Sequence, residues 1–478
     1  MLDSNPTPPP LPTAGKVIKD ILAIAGPVLV TLLSFFLTEA MTIMFAGHLG
    51  DPAMLAGAGL GSMLMTIAGI AITCGMNSAL STLISQSYGS KNMRLCGVYY
   101  NQARIMVAVL FVPIMIVLIN SDHVFRAIGF EEHICQHART FIMYKSPHLF
   151  LFSIYDATKR LLYNTGFQQV PMYIQMGTTV LHPLWCYLFV HVINMGIGGP
   201  ALAASVSQLI NIACLSFYLG RIKEFEEMWF LPNAECFKGL FNYMKIGFPS
   251  MCLIWLEWCA FEFLTFMSGY LDVDSTGAQI VLMNLEQLVY MPAWAFQIAA
   301  AAVVGKSIGE GNVPLAKLYG KFVQLLTLGE TLIQLVLIIA LRTLIAEVYT
   351  NVEGVQVLAR QALIIVAFGQ LFNQTQATQQ GIVRGLGQVR TAAVNALVSY
   401  YGVSVPMGYV FTFMVGNGGL GLNGLWYGMF SGQLVLCLIY QYFITFKFDW
   451  DKIVRECKER TDKDQKLIEM KDEKAEGV

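Results

Sequence analysis

The sequence predicts an all-α polytopic membrane protein. Twelve transmembrane helices form two six-helix bundles related by a pseudo-twofold axis along the membrane normal. Three observations lead there. Hydrophobic residues make up 55% of the chain and charged ones 13%, proportions outside the range of soluble globular domains. Apolar runs of about 20 residues or more, the length that crosses a hydrocarbon core, recur along the whole chain. Those runs also repeat: Pro27 aligns with Pro249, Gly47 with Gly269, Leu49 with Leu271 and Ala56 with Ala278, all at a spacing of 222. Tyr88-Gly89-Ser90-Lys91-Asn92 echoes Ile308-Gly309-Glu310-Gly311-Asn312 at 220, and Gly166 and Gly198 pair with Gly387 and Gly421 at 221 and 223. Six spans separate the copies, so both halves share one orientation and the relating axis runs along the membrane normal. Such folds place the substrate path between the halves and work by rocking one against the other.

Residues 1–20 read as an N-terminal tail in which Pro6, Pro8, Pro9, Pro10 and Pro12 oppose a helix. The first half, 21–221, holds spans near 21–46, 53–85, 97–119, 138–164, 170–193 and 199–221. The first of these is too long for a signal-peptide core and lacks a small-residue cleavage pattern. Residues 222–245, rich in Lys, Glu and Asn, form the linker. The second half, 246–445, holds spans near 246–270, 276–305, 318–342, 355–385, 391–415 and 421–445. The charged tail 446–478 reads as a solvated surface helix. Basic residues mark every second loop: Lys91 and Arg94, Lys159 and Arg160, Arg221 to Lys245, Lys306 to Lys321, and Arg384 and Arg390. That alternation places both termini in the cytosol.

Several function classes drop out. A net charge of -1 gives no ground for a nucleic-acid partner. The ten cysteines lie scattered from Cys74 to Cys457 with no CxxC pair, so neither a metal centre nor a disulfide frame is expected. HExxH, GxSxG and GxxxxGK[ST] motifs are absent, which argues against an enzyme and a bound cofactor. Uphill transport without an ATP site must draw on an ion gradient.

The chemistry-bearing stretch is Trp255-Leu256-Glu257-Trp258-Cys259-Ala260-Phe261-Glu262, with Glu286 on the next apolar segment. Each acid at the centre of a membrane helix costs roughly 2.5–3.5 kcal/mol, and the three together on the order of 7–10 kcal/mol. No Lys or Arg lies at depth on those two segments to offset this. At the repeat spacing the acids correspond to Phe35, Ala40 and Leu64: the scaffold is symmetric and the chemistry is not. Glu257 and Glu262, five residues apart, point about 140° from each other on a helix.

The residues also carry a resemblance. Pro27 to Gly50, ending in Phe45-Ala46-Gly47-His48-Leu49-Gly50, is one matching stretch, and Thr82-Leu83-Ile84-Ser85-Gln86-Ser87-Tyr88-Gly89 is another. Leu256-Glu257-Trp258 with Phe261-Glu262, Ser268-Gly269, Val383-Arg384-Gly385-Leu386-Gly387-Gln388, and Tyr400-Tyr401-Gly402 through Pro406 complete the set. Over about residues 20–445 the chain resembles the multidrug and toxic compound extrusion (MATE) transporters, in particular their eukaryotic branch. The resemblance implies export of organic compounds against an inward cation flow. It puts Glu257, Glu262 and Glu286 on the C-lobe carboxylates used for cation coupling and substrate attraction. The chain departs from the family at Asn373, where an acid is usual. An amide hydrogen-bonds but exchanges no proton, so a relay through that position is in question. Bacterial relatives often carry an aspartate in the first helix at the position of Thr42; Glu39, one turn earlier on the same face, is the candidate to replace it.

Glu257 and Glu286 are therefore assigned to coupling, with Glu262 in support or in substrate attraction. Asn284, Gln287 and Tyr290 flank Glu286, and Gln376 shares a face with Asn373; cavity lining and core hydrogen bonding both fit them. Trp255, Trp258, Trp294 and Tyr400 suit stacking on aromatic or cationic substrates and equally lipid or packing contacts. His182, before Pro183, reads as a kink-satisfying histidine. Asp156 with Lys159 and Arg160 reads as a helix-end ion pair. The resulting expectation is a monomeric proton-coupled antiporter for small organic cations in the bilayer of the plasma membrane or a vacuolar or lysosomal membrane. Na+ as the coupling ion and a flippase for lipid-linked precursors are the alternatives.

Overall fold

The computed structural model describes residues 11–416 and 419–469. The chain runs as α1 (Ala14–Gly47), α2 (Pro52–Gly89), α3 (Met93–Ile119), the short α4 (Ser121–Ile128), α5 (Glu132–Thr165), α6 (169–192) and α7 (Gly198–Leu219). The second half repeats this as α8 (Leu240–Ser268), α9 (Val273–Gly309), α10 (Val313–Tyr349), α11 (Glu353–Gly385), α12 (389–413) and α13 (Leu422–Lys447), before α14 (Trp450–Glu469). Apart from α4 and α14, these are twelve long helices in two bundles. Nine of them are long and apolar enough to cross a membrane by themselves. The other three are diluted: α5 by Lys145, Asp156, Lys159 and Arg160, and α6 and α12 by Gln, Tyr, Ser and Pro.

The ends differ from expectation in a consistent way. Helix α1 begins at Ala14 and α8 at Leu240, inside what composition marked as tail and linker. Polar residues continue a helix past the hydrocarbon without cost, so apolar length underestimates helix length. Pro6 to Pro10 lie outside the described residues.

Local signals repeat with the halves. Asn92 caps α3 by accepting from the Leu95 N–H at 3.0 Å, and Asn312 caps α10 by accepting from the Leu315 N–H at 3.1 Å. Each side chain satisfies an otherwise orphaned backbone donor. Gly166 and Gly387 follow α5 and α11 with φ of +93° and +77°, a left-handed conformation that glycine adopts without steric cost.

The halves meet about an internal two-fold. Helix α1 packs on α9 as α8 packs on α2, while α2 and α9 touch each other on the axis. A Cβ on Gly89 would stand 3.0 Å from the Lys306 carbonyl carbon, and one on Gly309 would stand 2.8 Å from that of Gln86. Gln86 and Lys306 are themselves repeat mates, so the two contacts are the same contact seen twice. Polar bonds reinforce the seam. Thr82 Oγ1 donates to Arg384 O at 2.6 Å, Gln86 Nε2 to Gly385 O at 2.7 Å, and Tyr319 OH to Asp20 Oδ2 at 2.8 Å. All lie toward the end with the basic loops. Among the described residues no hydrogen bond joins the two bundles toward the other end, so this conformer is closed at its basic end.

Helix α14 lies across that closed end and is no free tail. Trp450, Ile453, Cys457, Thr461 and Asp464 are buried beneath it while its charged face stays in water. Asp464 accepts from Tyr99 OH at 2.7 Å and from Asn242 Nδ2 at 2.9 Å, and Arg460 donates to Gln86. Gly309→Val is expected to overpack the axis at a cost of about 1–3 kcal/mol, read as a lower thermal midpoint in detergent. Gly177→Ala, at a helical site with open space around it, should leave the midpoint unchanged. Asp464→Ala orphans the buried Tyr99 hydroxyl and should cost about 1–3 kcal/mol in the same assay, with increased proteolysis of α14.

Candidate functional site

Helix α11 supplies the floor of the site. Gln370, Asn373, Gln376, Gln380 and Arg384 fall within one face at 3.6 residues per turn, and all five are buried. Glu257 arrives from α8 and Glu286 from α9, exposed by only 5% and 4%. Close backbone approach lets them reach. A Cβ on Gly381 would lie 2.9 Å from Gln297 Cα, so α9 and α11 pack tighter than any other residue at 381 would allow. Tyr400 comes from a π-helical stretch of α12, Val398–Ser404, an extra-residue turn that re-aims side chains and often marks functional positions.

The two carboxylates belong to one hydrogen-bond network. Glu286 accepts from Asn373 Nδ2 at 2.6 Å through Oε1 and from Gln370 Nε2 through Oε2. Glu257 Oε1 accepts from Tyr400 OH at 3.0 Å and from Gln376 Nε2 at 3.1 Å, and Oε2 from Gln380 Nε2 at 3.3 Å. Asn373 joins them: its Oδ1 accepts from Gln376 Nε2 at 3.4 Å and from Gln433 Nε2 at 2.9 Å. An amide is suited to that hub because it donates and accepts at once, which an ionised carboxylate cannot do.

Every donor on the two acids is neutral. Among the described residues neither makes an ion pair; the nearest base, Arg384, stops one residue short and donates to Gln380 Oε1 at 2.8 Å. Amide and hydroxyl donors hold a carboxylate without cancelling its charge. Both carboxylates are thus hydrogen-bonded without a compensating base among the described residues.

Other expected residues fare differently. Glu262 is half-buried and makes no hydrogen bond or ion pair with the network, as its angular offset from Glu257 requires. Asn284 and Gln287 are exposed, and Asn284 donates to Ile280 O of its own helix at 2.8 Å. Tyr290 is half-buried within electrostatic range of both acids. Trp258 packs edge-on against Trp294 with centroids 6.3 Å apart, and Trp255 is exposed.

Glu39, expected as a cavity residue in place of the first-helix aspartate, stands beside bases of α5. Lys145 Nζ of α5 donates to its Oε2 at 2.6 Å, and His148 Nε2 stands 3.4 Å from Oε1. The shared face with Thr42 was legible from spacing, but the base on another helix was not. Thr42 Oγ1 lies 3.0 Å from His182 Nε2, and Ser207 Oγ 2.9 Å from His182 Nδ1, so side-chain hydroxyls engage both ring nitrogens. Asp156 pairs at depth with Arg160 Nε at 2.9 Å and takes a further bond from Asn77. Lys159 stays out of that pair, its ammonium 4.8 Å from the Tyr155 ring centroid.

Sequence reasoning missed Gln370, Gln380 and Gln433. The signal was present: five glutamines between 370 and 380 of a membrane span are more polar groups than a lipid-facing helix tolerates.

Known proteins match both halves. The MatE family model fits residues 27–188 and again 249–410, an offset of 222. Multidrug and toxin extrusion protein 1 of Danio rerio is 29% identical over 95% of this chain and 76% of its own length. The human protein of that name is 27% identical over 89% of this chain and 73% of its own. Among solved structures, the eukaryotic MATE transporter AtDTX14 superposes with a TM-score of 0.88 at 22% identity, covering 93% of this chain and 99% of that one. A Vibrio cholerae MATE transporter gives 0.82 at 16%, covering 92% and 99%. With the family pattern matched twice, in register with the internal repeat, this chain belongs to the MatE family, the multidrug and toxic compound extrusion transporters.

Proposed function

We propose that this chain exports small organic cations in exchange for protons by alternating access, with Glu257 and Glu286 as the coupling pair. One observation carries the reading: two carboxylates buried in one bundle, linked through Asn373 and Gln376, with no base bound to either among the described residues. Removal from water disfavours the charged form of an acid, and a second acid nearby disfavours it further. A proton resolves that cost, and so does an organic cation. Occupancy by one excludes the other, because the charge each satisfies is the same. An empty, doubly charged site opposes closure, so the halves rock only when loaded. This is the differential interaction that any ligand-driven shift between conformations requires.

Asn373 need not carry a proton in this scheme. It reports the state of Glu286 to Gln376 and Glu257 by switching hydrogen-bond partners. Tyr400 orients the Glu257 carboxylate, and Glu262, outside the network, attracts cations toward the cavity. Basic loops on the closed end support a cytosolic position for both termini. A monomer in the plasma membrane or a vacuolar or lysosomal membrane suffices for the cycle, since one chain contains both halves.

The test is purified full-length protein in liposomes with an imposed pH difference and a fluorescent organic cation. Uptake should follow the pH gradient and collapse with a protonophore. Glu257→Gln and Glu286→Gln should each lower it on the order of tenfold or more, the scale of a coupling energy of about 1–3 kcal/mol. Tyr400→Phe, which removes one hydroxyl donor, should cost a smaller factor of about five. Uptake that ignores the pH gradient, or that a Na+ gradient alone drives, would sink the proton reading.

A further inference from the structure

A groove lies on the outer surface of the second half, away from Glu257 and Glu286. A groove of ≈ 500 Å³ opens between α10, α11 and the end of α13, within the roughly 300–1,000 Å³ of small-molecule pockets. Its α10 wall is a single stripe, since Lys317, Lys321, Gln324, Leu325 and Leu328 recur at three- and four-residue steps. The facing wall is Thr375 of α11 with Ile444 and Thr445 of a π-helical turn, Phe443–Lys447. Trp450 closes the mouth, with the Lys317 ammonium 5.7 Å from its ring centroid.

Charge and polarity are sorted along this groove. Lys317 and Lys321 are exposed at its basic-end mouth, and neither makes an ion pair or hydrogen bond among the described residues. Two turns deeper, Leu325 and Leu328 are 51% and 43% exposed. Between these levels stand Gln324, Gln441 and Thr445, and Gln441 Nε2 donates to Thr445 Oγ1 at 3.0 Å. Polar side chains open sideways to hydrocarbon are costly unless something polar meets them. Two lysines with no acid paired to them among the described residues disfavour a cation there. They suit an anionic group, and the leucines below suit an alkyl chain.

We propose that this groove binds one anionic phospholipid. Lys317 and Lys321 hold its phosphate, the amide and hydroxyl groups meet its glycerol and ester oxygens, and an acyl chain lies along Leu325 and Leu328. Basic pockets between membrane helices take such headgroups. The bound lipid braces α10 against the end of α13, where the chain turns into α14, and so steadies the second bundle beside its seam with the first. The inference is independent of the transported substrate and of the coupling ion.

Native mass spectrometry of the purified full-length protein with an equimolar mixture of phosphatidylserine and phosphatidylcholine tests it. The wild-type chain should retain phosphatidylserine in preference, and Lys317→Ala with Lys321→Ala should reduce that preference on the order of tenfold. Lys317→Arg with Lys321→Arg should keep it, which separates lost charge from lost folding. Leu328→Trp, which fills the groove without altering charge, should lower retention of both lipids. Equal retention of the two lipids by wild type, or preference intact in the double alanine variant, overturns the proposal. So does full displacement by glycerophosphoserine, which would make the site one for a free phosphate ester. Displacement by tetraphenylphosphonium would make it a cation portal instead.

Discussion

Backbone lies against backbone where the two halves meet, and the rest of the architecture depends on it. At Gly89, Gly305 and Gly309 a methyl group would collide with the opposite helix. Inside a membrane no hydrophobic force favours one apolar neighbour over another, so close packing of small residues must supply the association. The contact is also self-complementary in the way of a symmetric dimer: one patch, copied by duplication, meets its own copy. A surface with so few side chains can separate and re-form without repacking.

The same device builds the site. Helix α9 sits on the axis through Gly305 and Gly309 and meets α11 through Gly381. Glu286 therefore rides on an element that touches the first bundle on one side and the amide-rich helix on the other. Helix α14 adds a strap across the closed end, and its Asp464 binds residues of α3 and α8 together. Opening that end requires these bonds to break or the helix to move with one half.

Electrostatics separates the halves where geometry does not. In the first, the buried Asp156 lies beside Arg160 and the half-buried Glu39 beside Lys145. In the second, Glu257 and Glu286 are met, among the described residues, by amides and a phenol alone. A buried pair of opposite charges is balanced internally, although its desolvation cost is hardly recovered. A buried acid among neutral donors is balanced only by what comes from solution. Duplication thus preserved the scaffold while the compensation of its acids came to differ between the two copies.

Much of this was legible in the sequence, because membrane helices are written in one dimension. Apolar length sets the spans, the 222-residue echo sets the symmetry, and acids in apolar runs stand out by their solvation cost alone. The echo ending at Asn92 and Asn312 stood in the sequence, and the structure shows both to be helix caps made by local bonds. The partners of each acid were not legible, since no spacing rule relates Glu39 to Lys145 or Glu257 to Tyr400 across more than a hundred residues. Nor could composition show that α14 is docked, because its buried stripe is short and its charges dominate. The sequence by itself determined the helices, their duplication and which acids are expensive. Only the tertiary structure decided which of those acids are neutralised, because charge compensation is a matter of distance between helices, and that distance is set by packing.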